Sequence, residues 1–281
     1  MNITGLSTGF AKLDEKIMGL KPGEITIIAS RPSVGKTTLA MNIVECVALG
    51  QDINGDAAKY DGGKQHPALL FSLEMPANTL IGHMLASRAR IDLWKLNGDD
   101  DIDEEISDTT SRLVDARDAL RYAPIFIEDG ESALDVSVIR DKAREAKRLH
   151  NIELVVIDYL QLIENRGIAA HNRAEELDSI VVGIKELADE LSVHVILLAQ
   201  LPYSIPSGVD KKPTFSDFRD IPGAEQIADI VMFLHRPHCV NGEVNKDGEI
   251  TFVNIAKNRH GETGEVSLTF RRKCLRFFEE I

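Results

Sequence analysis

No stretch of this 281-residue chain is apolar for long enough to cross a bilayer. Its opening, Met1-Asn2-Ile3-Thr4-Gly5, lacks the basic and apolar segments of an export signal, so the expected location is cytoplasmic, away from any membrane. Cysteine is scarce. Cys46, Cys239 and Cys274 have no metal-ligand spacing among themselves, which argues against a cysteine-built metal centre and suits a reducing compartment. An excess of positive charge is also missing: 32 Lys and Arg against 45 Asp and Glu leave a net charge of −13. That balance excludes a surface that binds nucleic acid all over, but not a local basic track. Acid gathers in Asp99, Asp100, Asp101, Asp103, Glu104, Glu105 and Asp108, which reads as a solvated loop, while Lys257, Arg259, Arg271, Arg272, Lys273 and Arg276 lie near the C-terminus. The chain is 43% apolar and 27% charged, enough for a sizeable core, and with neither an internal repeat nor a clear linker residues 1–281 are read as one domain.

What is there is a strand, a phosphate-binding loop and a helix start in immediate succession. Ile25-Thr26-Ile27-Ile28-Ala29 is β-branched and apolar; Ser30-Arg31-Pro32-Ser33-Val34-Gly35-Lys36-Thr37-Thr38 follows; Leu39, Ala40, Ile43, Val44 and Val47 then recur at helical spacing. Binding a β,γ-phosphate pair needs backbone N–H groups converging on one point, a cation for the terminal phosphates and a hydroxyl for Mg²⁺. The loop from Ser30 to Thr38 supplies these, with Lys36 as the cation and Thr37 as the hydroxyl. The motif normally opens with Gly, and here Ser30 stands first.

Apolar runs at 25–30, 68–73, 125–128, 154–158, 194–200 and 230–235 alternate with amphipathic stretches, which predicts a mainly parallel sheet covered on both faces. Leu177, Ile180, Val181, Ile184, Leu187, Ala188 and Leu191 form the stripe of a crossover helix. Ser132 with Asp135 resembles a capping box for a helix reaching about residue 150. Residues 51–66 read as a surface insertion, and the runs after 250 as antiparallel strands at the sheet edge.

Asp158 ends an apolar strand, where an open α/β sheet places its ligands, and is the expected holder of Mg²⁺. Glu74 closes the second run as a candidate base for the attacking water, with a helix-terminal acid as its ordinary alternative. Gln200, at the end of another strand, can sense the γ-phosphate. Lys257 and Arg259 precede a Gly turn; in a ring they could reach a neighbour's γ-phosphate, the arginine carrying transition-state charge. His235, His238 and Cys239 lack a fourth ligand and read as loop residues rather than a zinc site.

These motifs together resemble the C-terminal RecA-like motor domain of DnaB-type replicative helicases: Gly5-Leu6-Ser7-Thr8-Gly9-Phe10 with Leu13-Asp14, the phosphate loop, Phe71-Ser72-Leu73-Glu74-Met75, Ile157-Asp158-Tyr159-Leu160-Gln161-Leu162, Ala199-Gln200-Leu201 and Lys257-Asn258-Arg259-His260-Gly261. The resemblance runs over nearly the whole chain, in the family's order. It implies a P-loop NTPase fold, a hexameric ring hydrolysing ATP with Mg²⁺ at subunit interfaces, 5′ to 3′ movement on single-stranded DNA, and a primase or loader as partner. Carried over, Lys36 and Thr37 bind phosphate and Mg²⁺, Glu74 is the catalytic carboxylate, Asp158 the Walker B acid, Gln200 the sensor, and Arg259 with Lys257 acts in trans. The DNA loop corresponds to residues 217–229, with Arg219, Asp220 and Gly223 as the expected contacts, although Pro222 has no N–H to offer a phosphate. The sequence begins almost at the motor without the family's N-terminal helical collar, which fits an excised domain as well as a naturally short relative, and without that collar weaker ring assembly is expected. A RecA-like regulatory ATPase that binds DNA or protein without unwinding is the alternative. A non-enzymatic assembly subunit fits less well with intact Lys36, Glu74, Asp158 and Arg259, and no lid with an acceptor site suggests a small-molecule kinase.

Overall fold

The computed structural model describes residues 3–58, 60, 62–96, 106–130, 134–202, 211–218, 221–237 and 248–279. Six strands follow the apolar runs: β1 (Ile25–Ser30), β2 (Ala68–Ser72), β3 (Ile125–Asp129), β4 (Leu154–Asp158), β5 (His194–Gln200) and β6 (Ile230–His235). They pair in parallel, and β7 (Glu249–Asn258), β8 (Gly264–Arg271) and β9 (Arg276–Phe278) extend the sheet antiparallel, in the order β3-β2-β4-β5-β1-β6-β7-β8-β9. The first six are continuous apolar runs because helices cover both faces. On one side Ile25, Ile27 and Ala29 pack with α5 (Val136–His150), α6 (Arg173–Leu191) and α7 (Pro222–Ile227). On the other, Ile28 and its neighbours pack with α1 (Ala11–Ile17), α2 (Lys36–Leu49) and α3 (Ala77–Ala89). A further helix, α4 (Ile106–Tyr122), lies against α3 through Ala116, Ala86 and Ala89. Among the described residues no helix is long and apolar enough to cross a membrane.

The stripe predicted for the crossover is the buried face of α6, from Leu177 to Ala188. Three local expectations are corrected. Helix α5 is capped by Asp135 itself, whose carboxylate accepts from the Ser137 N–H at 2.9 Å, and Ser132 lies outside the described residues. The 51–66 segment is not merely superficial, because Ile53, Ala58 and His66 are buried against the body. His235 is a buried residue of β6 rather than a loop residue, while His238 and Cys239 lie outside the described residues. So do Asp99, Asp100, Asp101, Asp103, Glu104 and Glu105.

Two buried titratable groups give the fold a testable pH response. Asp14, in α1, accepts from Ser7 Oγ at 2.6 Å and Thr8 N at 2.8 Å, yet burial pushes its pKa up to about 7. His194 donates from Nδ1 to the Lys21 carbonyl at 2.8 Å, so its Nε2 accepts from Thr26 Oγ1 at 2.9 Å, and burial lowers its pKa to about 4. Asp14 therefore contributes stability that is complete below the ordinary carboxylate pKa and is lost as pH rises through 7. The His194 contribution runs the other way, complete above 6.5 and lost as pH falls through 4. The two offset each other in the window they share. Asp14→Asn should leave a chain whose denaturation midpoint rises from pH 4 to 6.5, and His194→Gln one whose midpoint falls, in urea melts across that range; parallel profiles would reject the assignment.

Candidate functional site

The phosphate loop begins where β1 ends. Ser30 is buried, and its Oγ donates to the Arg31 carbonyl at 2.9 Å. Ser33 and Gly35 adopt left-handed φ values of 63° and 108°, the alternation that turns successive N–H groups inward to form an anion cradle. A Cβ at Gly35 would sit 3.1 Å from Phe277 Cζ, so glycine is needed both for φ and for the approach of β9. Gly35 caps α2 without a side-chain bond and no acid occupies the helix's first turn, which leaves the N-terminal field directed at the loop. From outside, Arg236 Nη2 donates to the Ser33 carbonyl at 2.5 Å while its Nε pairs with Glu249 at 3.0 Å. Arg31 Nη1 donates to the Lys211 carbonyl at 2.8 Å. Pro32, Val34 and Thr38 complete the turn into α2.

Four adjacent strands deliver the remaining groups to the same end of the sheet. In β1/β5 register Ser30 faces Gln200, and in β2/β4 register Ser72 faces Asp158. Asp158 is buried; its Oδ2 accepts from Thr37 Oγ1 at 2.6 Å and its Oδ1 lies 3.3 Å from Lys36 Nζ. Tyr159 follows through a cis peptide bond and lies under Lys36, with the ammonium 4.9 Å from the ring centroid. Burial, then the negative charges of Glu74 and Asp158, raise the Tyr159 phenol pKa, which places Glu74 in the electrostatic reach of this centre. Glu74 itself is exposed, two residues beyond Ser72. Gln200 is clamped by Gln161, whose carboxamide accepts from the Gln200 N–H at 3.1 Å and donates to the Gln200 carbonyl at 2.9 Å.

Lys257 and Arg259 lie at the opposite end. Asn258 pairs with Ile230, the first residue of β6, which runs parallel to β1, and the Arg259 N–H donates to the Asp229 carbonyl. The length of β1 separates them from their own phosphate loop by roughly 15–20 Å at the usual strand rise of about 3.3 Å per residue. Arg259 Nη1 donates to Asp229 Oδ1 at 3.0 Å and Nη2 to the Gln226 carbonyl at 2.9 Å; Lys257 Nζ donates to the Glu225 and Gln226 carbonyls at 2.6 and 3.1 Å. Burial and the neighbouring Arg259 lower the Lys257 pKa. Of the expected DNA loop, Arg219 and Asp220 lie outside the described residues. Pro222 opens α7 at its first position, where its missing N–H costs nothing, and the Gly223 N–H donates to Asp178 Oδ1 at 2.8 Å.

The donor set fits a Mg²⁺-bound nucleoside triphosphate. A hydroxyl and a buried carboxylate converge beside an ammonium at the mouth of an anion cradle, and among the described residues no three His, Cys, Asp or Glu converge as a metal cluster. A divalent cation held by Thr37 and Asp158 would thus complete its shell with phosphate oxygens and water. Sequence reasoning assigned no role to Tyr159, Gln161, Asp178, Asp229 or Arg236. The first two stand within the quoted Asp158 motif, but their bonds to Lys36 and Gln200 join distant segments that no spacing reveals.

Comparison with known proteins agrees with this geometry. Residues 5–279 match the family described as DnaB-like helicase C terminal domain. The replicative DNA helicase DnaB of Pasteurella multocida is 38% identical over 276 residues, covering 98% of this chain and 55% of that protein. The DnaB of Geobacillus stearothermophilus is 38% identical over 275 residues, covering 98% and 56%. This chain therefore spans about half the length of those relatives. Among solved structures, one described as an ATPase domain superposes with a TM-score of 0.85 at 32% identity, covering 100% of this chain and 93% of that one. A DnaB-like replicative helicase, described with its interactions with primase, gives 0.84 at 32% identity, covering 100% and 64%.

Proposed function

The chain belongs to the DnaB-like helicase C-terminal domain family, and from that membership we propose that residues 1–281 form a single RecA-like motor that hydrolyses ATP with Mg²⁺ to move 5′ to 3′ on single-stranded DNA during replication. The observation that carries the proposal is polarity. Phosphate loop, Asp158, Gln200 and Glu74 occupy one end of the sheet, and Arg259 and Lys257 the other. A chain so arranged completes a hydrolytic site only when copies stack head to tail, which a closed ring achieves. A hexamer is proposed, acting in the cytoplasm with a primase or loader as partner.

Mg²⁺ held by Thr37 and Asp158 would shield the charge of the bound phosphates. Lys36 and the loop amides from Ser30 to Thr38 hold the β- and γ-phosphates; Thr37 and Asp158 orient the cation side of the site. Glu74 accepts the proton of the attacking water at its carboxylate. Gln200, held by Gln161, reports the state of the site to the segment after β5. Arg259 of the neighbouring copy meets the charge that develops on the transferred group. Arg219, Asp220 and Gly223 are the proposed DNA contacts. Gly223 already donates to Asp178, so a phosphate contact there requires exchange of that bond.

The test is the ATPase rate of the chain with and without single-stranded DNA over a range of protein concentrations. DNA stimulation, a rate per chain that rises with concentration, and loss of both in Lys36→Ala are expected. A rate indifferent to DNA and to concentration would favour a regulatory ATPase that does not unwind.

A further inference from the structure

Arg259 is not a free surface side chain. Its guanidinium spans two anchors, the Asp229 carboxylate and the Gln226 carbonyl at the C-terminal end of α7, while the side chain stays 44% exposed. Asp229 is itself fixed from several directions. Its side chain is 3% exposed, its Oδ2 accepts the Ile25 N–H at 2.9 Å and lies 3.2 Å from Lys185 Nζ, its backbone N–H donates to the Ile25 carbonyl, and its carbonyl accepts the Arg259 N–H. Ile25 begins the strand that ends at the phosphate loop. A buried carboxylate with two cations and a backbone donor is a rigid acceptor, and a group that must meet transition-state charge in another subunit gains from being held before the encounter. We infer that Asp229 is a positioning residue for Arg259, holding the guanidinium at the face presented to the neighbouring copy and tying it to α7, which lies within the proposed DNA loop. The inference rests on the reading that hydrolysis is completed in trans.

The chemistry of substitution is specific. In Asp229→Asn the amide oxygen is drawn to the Ile25 N–H, which turns the NH₂ toward Arg259 Nη1 and sets donor against donor. In Asp229→Ser the shorter side chain withdraws the oxygen facing Arg259.

A two-chain mixture separates positioning from folding. Arg259→Ala chains keep a phosphate loop and Lys36→Ala chains keep a finger, so turnover in their mixture arises where the second serves the first. Adding Asp229→Asn to the Lys36→Ala chain should lower kcat of the mixture by about tenfold or more, with KM unchanged, because the phosphates are bound by the other chain. Adding it to the Arg259→Ala chain should leave the mixture's rate as it was. Equal losses in both arms would mean a structural role, and no loss in the donor arm would mean that Arg259 needs no such support; either outcome overturns the inference. Absence of recovery in the parent mixture would instead remove the trans reading and the inference with it. If Asp229→Asn yields no soluble chain, Asp229→Ser carries the same comparison.

Discussion

Glu74→Gln should lower ATP turnover by roughly two to four orders of magnitude, the usual contribution of a positioned general base, while nucleotide binding survives. The substitution preserves shape while replacing the charged carboxylate, which can take a proton, by a neutral amide that cannot. Glu74 is exposed and makes no packing contribution that its amide would lose. The ordinary alternative, an acid that steadies the N-terminus of α3, is weakened by the structure, because the Ala77 N–H at that terminus already donates to Asp129 Oδ2 at 2.7 Å. Phosphate binding is assigned to Lys36, Thr37 and the loop of β1, three strands from β2, which Glu74 follows. Single-turnover hydrolysis beside equilibrium binding of a fluorescent ATP analogue checks the split. Lys36→Ala should lose binding and turnover together. If Glu74→Gln weakens binding as much as turnover, or changes turnover by less than about threefold, the base assignment fails.

The parallel strands were legible because each is a short apolar run bounded by polar residues, and burial on both faces leaves no alternation to blur. The placement of Asp158, Gln200 and Glu74 at one end of the sheet was legible for a related reason: the first two end such runs and Glu74 follows one by two residues, where an open sheet exposes its loops. The start of α5 was not, since Ser132 and Asp135 both carry a capping oxygen and only the chain path decides which of them faces the free amides. Burial of Ile53 and His66 in a polar, Gly-rich stretch depends on packing by segments far away in sequence. The Asp229 clasp on Arg259 escaped notice likewise. In sequence, Asp229 stands only as the last residue of the expected DNA loop, and its partners Ile25, Lys185 and Arg259 come from three separate parts of the chain.

Glu45→Ala should destabilise the chain by about 3–5 kcal/mol, the usual cost of leaving a buried ion pair with one partner. Glu45 lies in α2 and is 1% exposed; its carboxylate accepts from Arg276 Nη1 at 3.1 and 3.3 Å and from Arg88 Nη1 at 3.2 Å. One carboxylate thus serves two guanidiniums. Arg276, in β9, is 2% exposed, and its remaining bonds run to Ser87 Oγ at 3.2 Å and the Ile53 carbonyl at 2.5 Å. Without Glu45 its charge stays buried, with only neutral acceptors, beside Arg88. The loss should extend to the nucleotide site. Arg276 precedes Phe277, whose N–H donates to Asn42 Oδ1 at 2.9 Å and whose ring packs under Gly35 of the phosphate loop. Thermal unfolding should show a midpoint lower by roughly 6–10 °C, at about 2 °C per kcal/mol for a domain of this size. Nucleotide affinity measured well below that midpoint should fall as well. The double variant Glu45→Leu with Arg276→Met removes both charges and should recover most of the stability, because an apolar pair of similar volume avoids the desolvation that the ions incur. Arg88 then keeps only its bond to Gln51 Oε1 at 2.7 Å but, being 19% exposed, can turn toward water. If the double variant is as unstable as Glu45→Ala alone, the carboxylate's value lies in holding Arg88 rather than in neutralising Arg276.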